Sequence, residues 1–137
     1  MTNIKKRISA LMVAVMLMSA FSFVLTDNVS AKTENYKPVL KSVKVWYYGK
    51  SGQVKTVKAT WTKIYKYRDW KVEYKLHSIG PTKHYTQTGT FSKCTVKDGS
   101  HKENVKSKGE AGFNGLQIRF KKKTKKGTTY TKWSNTK

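Results

Sequence analysis

From Trp70 to Leu76 apolar and charged side chains alternate without a break: Trp70, Val72, Tyr74 and Leu76 against Lys71, Glu73 and Lys75. A period of two belongs to a β-strand, whose successive side chains leave opposite faces, whereas a helix repeats every 3.6 residues. The same code recurs along the chain. Leu116, Ile118 and Phe120 alternate with Gln117, Arg119 and Lys121, and Val57, Ala59 and Trp61 with Lys58, Thr60 and Thr62. Val43, Val45 and Tyr47 alternate with Lys44, Trp46 and Tyr48, so this strand carries apolar groups on both sides. Each segment reads as a half-buried strand with one wet, lysine-bearing face. Turn chemistry separates them at Gly49-Lys-Ser-Gly52, Ile79-Gly-Pro81, Asp98-Gly99 and Lys126-Gly127. Weaker alternation predicts strands over 83–88, 90–97 and 128–134, and the polar stretch 99–112 reads as a long loop. About seven short strands at regular spacing predict an all-β fold, a single antiparallel β-sandwich of immunoglobulin-like kind.

The start of the chain is of another character. Lys5, Lys6 and Arg7 precede an apolar run from Ile8 to Leu25, and Val29-Ser30-Ala31 supplies small residues at a cleavage site. That pattern predicts a secretory signal peptide of bacterial type over 1–31, followed by a cationic β-sandwich domain over 32–137. An uncleaved anchor is the rival reading, because the run is just long enough to span a bilayer. The absence of a cysteine after the run argues against a lipoprotein. The expected product is secreted and extracellular, retained at the cell wall by charge alone if at all. Residues 32–37 read as a loose lead-in.

Charge is the second constraint. Loss of the leader would remove three of 29 basic residues and one of seven acidic ones, leaving 106 residues with a net charge of about +20. Self-repulsion on that scale works against compaction, so the charge points to a negative partner. Lysine supplies nearly all of it, with arginine only at positions 7, 68 and 119. A hydrated point charge suits polyanions in general, whereas arginine is expected where a planar group is read with two hydrogen bonds.

Five lysines, Lys121, Lys122, Lys123, Lys125 and Lys126, fall between the strand predicted over 115–121 and that over 128–134. Lys121 ends the first of these strands, and Lys122, Lys123, Lys125 and Lys126 are expected at the tip of a hairpin rather than in a tail, since Tyr130 and Trp133 follow and call for burial. The loop T-K-I-Y-K-Y-R-D over 62–69 adds Lys63, Lys66 and Arg68, interleaved with Tyr65 and Tyr67. Lysines there would neutralise phosphate or carboxylate, and tyrosines would stack on sugar rings or bases, or lie at a headgroup interface. These ten residues form the expected polyanion-binding set. The plain alternative is a solvated loop, with both tyrosines on the core edge.

The order T-V-K-A-T-W over 56–61, W-K-V-E-Y-K over 70–75, L-Q-I-R-F-K over 116–121, a Lys/Gly turn, and Y-T-K-W-S over 130–134 resembles a fibronectin type III module. The resemblance implies a sandwich with a tryptophan on its second strand and a last hairpin ending in a W-S step. It further implies that the tip and the loop 62–69 share one end. Leu116 stands where the family usually has tyrosine. Modules of this kind bind proteins or polysaccharides, or space other domains, and are rarely enzymes.

Little in the chain suggests catalysis. Asp69 and Glu73 are expected at the surface, ion-paired beside Lys71 and Lys75. His77, His84 and His101 lack metal spacing, and no nucleophile elbow, phosphate loop or paired cysteine is visible. No cofactor and no metal are expected, and the chain reads as a non-enzyme. Cys94, the one cysteine, is expected as a buried thiol on a strand; a monomer is expected, with a disulfide-linked dimer through Cys94 left open. The function this adds up to is binding of anionic cell-wall polymer or an anionic membrane surface, with antimicrobial action of bacteriocin-like or antifungal kind. Non-specific nucleic acid is a further partner the charge allows. The alternatives are a matrix or adhesion module for polysaccharide or extracellular DNA, and a protein-binding inhibitor.

Overall fold

A computed structural model describes residues 31–137; apart from Ala31, the expected signal peptide lies outside the described residues. Alternation becomes strand as the pattern requires. The strands are β1 (Lys32–Thr33), β2 (Leu40–Tyr47), β3 (Val54–Trp61), β4 (Lys71–Ile79), β5 (His84–Thr95), β6 (Ser100–Asn104), β7 (Gly112–Thr124) and β8 (Gly127–Tyr130). They form two sheets packed as a sandwich, of order β1-β8-β7-β4-β5 and β2-β3-β6. The pairs β2–β3, β3–β6, β4–β5 and β4–β7 are all antiparallel. By contact the chain divides into two compact units: residues 33–122 with 130–137, described next, and 123–129 with the segment ending at Lys32.

The inward sets of the alternating strands meet in one core. Val57, Ala59 and Trp61 of β3 face Val72 and Leu76 of β4 and Leu116, Ile118 and Phe120 of β7, all buried. Trp61 stacks on Phe91, with ring centroids 6.1 Å apart, and its indole N–H donates to the Val96 carbonyl at 2.9 Å. A buried indole needs such an acceptor, because an unmet donor inside the core is costly.

Three expectations change. The two weak strands 83–88 and 90–97 are one strand, β5, running through Gly89, where a side chain's Cβ would come within 2.5 Å of the Tyr74 hydroxyl. The register with β4 breaks between Lys71 and Glu73, and Lys93 there adopts φ 50°, so Phe91 and Cys94 both turn inward. The stretch 99–112 is no open loop. Its first part is β6, paired to β3 from Thr60↔Ser100 to Thr56↔Asn104. The remainder is pinned: the Ser107 hydroxyl accepts from Val54 N–H at 2.8 Å and the Ser78 hydroxyl accepts from Gly109 N–H at 2.9 Å. The sequence S-H-K-E-N offers no apolar alternation, so propensity gave no sign of this strand.

The last strand is shorter than expected. Beyond Tyr130 the chain follows β7 with a three-residue step. Thr131, Ser134 and Lys137 donate their N–H groups to Phe120, Ile118 and Leu116, and the Thr131 and Ser134 hydroxyls accept from Phe120 and Ile118 N–H at 2.9 Å each. Trp133, expected in the core, is only partly buried and faces outward.

Candidate polyanion-binding site

The crossover from β3 to β4 turns on a single 3-10 turn, Tyr65–Tyr67. Three residues per turn place Ile64 and Tyr67 on the core side and Tyr65, Lys66 and Arg68 outward. Tyr67 is 3 % exposed. Its ring stacks on Tyr36 at 5.2 Å and meets the edge of Trp70 at 4.7 Å, and its hydroxyl donates to Glu34 at 2.8 Å. Burial, then the hydrogen bond to the Glu34 carboxylate, pushes its pKa up to about 12. Tyr67 therefore cannot stack on a ligand; it anchors the loop, and its place in the expected set is corrected on that ground.

Tyr65 is the opposite case, 79 % exposed. The Arg68 guanidinium lies over its ring at 4.0 Å and donates to the Tyr65 carbonyl at 3.0 Å. The pair presents a flat cation on an aromatic plate. Lys63, Ile64, Tyr65, Arg68 and Lys97 line one shallow hollow, and Lys66, Arg68, Asp69, Trp70 and Lys122 line a second, so Arg68 serves both. Lys97 was missing from the expected set. It precedes the Asp98-Gly99 turn and reaches Asp69 at 3.4 Å, a neighbourhood set by strand order that no spacing in the sequence reveals.

The lysine run divides. Lys121 is partly buried on β7, hydrogen-bonded to Thr90 at 2.8 Å and 3.7 Å from the Glu73 carboxylate, so its ammonium is already engaged. Lys122 is exposed beside the loop. In the separate unit, Lys123, Lys125 and Lys126 are all exposed, and Lys125 and Lys126 make a two-residue turn. The Thr124 hydroxyl closes it, accepting from Lys126 N–H at 3.3 Å and donating to the Gly127 carbonyl at 3.0 Å. Gly127 has φ 130°, a conformation that side chains disfavour.

Glu73 is not the surface residue expected. It is 8 % exposed, and its partners are Arg119 and Lys121 across the β4–β7 ladder, not Lys71 or Lys75. Asp69 is exposed, paired with Arg68 and Lys97. Glu103 accepts from Ser92 N–H at 3.1 Å and from the Ser92 hydroxyl at 3.0 Å, and lies 2.8 Å from His101 Nε2, joining β5 to β6. Burial pushes its carboxyl up, but the bonds from His101 and Ser92 outweigh that and hold its pKa below the ordinary value. Cys94 is 1 % exposed and its thiol is pushed up to about 12, chiefly by burial and then by Asp98. A thiol so placed is the buried strand cysteine expected, and it reaches a second chain only if the fold opens. Among the described residues no group of three or more His, Cys, Asp or Glu could hold a metal ion.

Compared with known protein families, with curated proteins and with solved structures, the chain matches none of them.

Proposed function

We propose that this is a secreted, strongly cationic protein that adsorbs to anionic polymers of the cell envelope, is held at the wall by charge, and acts there as an antimicrobial of bacteriocin-like or antifungal kind. One observation carries the reading: the fold engages five of its six described side-chain carboxylates, all but the exposed Glu110, and leaves most of its lysines. Glu34, Asp69, Glu73, Asp98 and Glu103 all have partners inside the structure. Those acids pair with Lys66, Arg68, Lys97, Arg119, Lys121 and His101; no other basic residue among the described ones stands in an ion pair. The rest of the charge is open to a polyanion: Lys63 and Lys122 lie beside the Tyr65–Arg68 plate, and Lys123, Lys125 and Lys126 are exposed in the separate unit. Contact with such a polymer releases counterions, so binding falls steeply as salt rises. We read the sandwich itself as fibronectin type III-like. Setting β1 aside, the first, second and fifth of seven strands share one sheet and the other four the second, an order that supports the immunoglobulin-like reading.

The test uses residues 32–137, purified and added to Gram-positive cells with and without their wall phosphate polymers. Binding that drops on stripped cells, weakens with salt and accompanies growth inhibition supports the proposal. Equal binding to both kinds of cell removes wall phosphate polymer as the target, and salt-independent binding removes the polyanion altogether. Replacing Lys122, Lys123, Lys125 and Lys126 by glutamine should lower retention on a phosphate-bearing column while leaving the melting temperature unchanged.

A further inference from the structure

A second cationic surface lies on the outer face of the β2-β3-β6 sheet, away from the loop 62–69. The register sets Lys44 opposite Lys58 and Lys58 opposite Lys102, one lysine from each strand in a single row. All three are exposed. Like charges directly opposite each other destabilise a sheet, and a carboxylate in the middle would relieve the strain. None is there: Glu103, the acid on β6, turns inward to Ser92 and His101. On one side of the row lies a row of hydroxyls, Ser42, Thr60 and Ser100; on the other lies Trp46, paired with Thr56. Trp46 is 38 % exposed, and the Lys102 ammonium rests 4.5 Å from its ring centre. Cation and ring thus lie within reach of one ligand unit.

We propose that this face binds an acidic polysaccharide, with carboxylates on the row Lys44–Lys58–Lys102, a sugar ring against Trp46 and sugar hydroxyls on the Ser/Thr row. Neighbouring strands are about 4.8 Å apart, so the three lysine positions repeat on the scale of one sugar unit, while alternate residues along a strand are about 6.8 Å apart, the spacing of hydroxyl, charge and ring positions. A single-stranded nucleic acid fits less well. It would call for several aromatic plates for successive bases, and this face presents one indole. Lysine rather than arginine also suits a flexible, hydrated carboxylate over a group read with two fixed hydrogen bonds.

The test compares four proteins: wild type, K44Q/K58Q/K102Q, W46A, and K50Q/K108Q/K132Q as a control of equal charge change. Each is titrated at low salt with polygalacturonate, with inorganic polyphosphate and with single-stranded DNA, after circular dichroism has shown the fold intact. The proposal expects the row variant to bind polygalacturonate about tenfold or more weaker, with the slope of log affinity against log salt reduced by about 2–3, and the control to lose far less. It expects W46A to lose affinity for polygalacturonate but not for polyphosphate, which has no ring to stack. Equal losses in the row variant and the control overturn it, as does a W46A variant that binds every polymer as wild type does. Losses confined to DNA make the partner nucleic acid and overturn it equally. A wild type that ignores polygalacturonate yet binds wall phosphate polymer ends this proposal alone and leaves the loop-and-tip reading standing.

Discussion

The two sheets present outer faces written in the same alternating code, yet they differ in electrostatics. On the β4–β7 side Glu73 lies between Arg119 and Lys121. The Arg119 guanidinium is layered between Tyr130 and Trp133, 3.7 Å and 4.4 Å from their ring centres, and Lys75 caps Trp133 at 4.3 Å. His77 continues the column, bridging Gln117 and Thr86. Glu73, Arg119, Lys121 and Lys75 each have an answer there, although Lys71 lies opposite Lys121 without an acid of its own, and the face is part of the fold's own stability. The β2-β3-β6 face has a lysine row with no acid. Its charges repel one another and are answered only by water and one indole. Compensated charge serves the structure; uncompensated charge is available to a partner. That contrast locates binding more sharply than the total of lysines does.

Several changes would break or sharpen the contrast. The largest removes the floor under both faces. Trp61→Ala should cost about 3–5 kcal/mol, read as a fall in the urea midpoint, because it leaves a cavity beside Phe91 and takes from the Val96 carbonyl one of its two donors, leaving only Gly99 N–H. Next, Arg119→Ala should destabilise by about 3 kcal/mol, since it leaves the nearly buried Glu73 carboxylate without its main partner. A melting curve unmoved by that change would mean that the compensated face is not structural. Trp133→Ala should cost only about 1–2 kcal/mol, the loss of its two cation contacts, because the ring is partly exposed rather than in the core. The opposite sign is expected across the sandwich. Lys58→Glu should raise stability by about 0.2–1 kcal/mol for each of its two cross-strand pairs, while weakening binding of acidic polymer, so that stability and binding move apart.

The smallest effect concerns pH. Because the Glu103 pKa is lowered in the folded protein, its contribution is fully present above the unfolded value and is lost as pH falls through the folded one. Glu103→Gln should lower stability in the neutral region, where that contribution is present, and leave the most acid region nearly unchanged, so that the acid limb flattens, as thermal melts from acid to neutral pH would show.

Much of the fold was legible in the chain. Strong alternation marked β2, β3, β4 and β7, and the Lys126-Gly127 signal marked the last turn, because apolar periodicity and turn chemistry are local properties. Where a strand is held by its neighbours instead, local reading failed. β6 has no apolar alternation and exists because β3 offers it a ladder. Gly89 looked like a break between strands, and is instead the gap into which the Tyr74 ring fits. The loop 62–69 was found by composition, but composition did not separate Tyr65 from Tyr67, since a 3-10 turn sends one outward and the other into the core. Glu73 seemed a surface acid because its partners are 46 and 48 positions away along the chain.

What the sequence determined by itself is the class of material: period-two segments that must become strands, and an excess of lysine that must find water or a polyanion. Only the tertiary structure decided which lysines meet a carboxylate. Pairing depends on register and strand order, which are set by burying all the apolar faces together rather than by any one segment. Thus Lys121 is held by Glu73, while Lys44, Lys58 and Lys102 are left facing one another across a sheet.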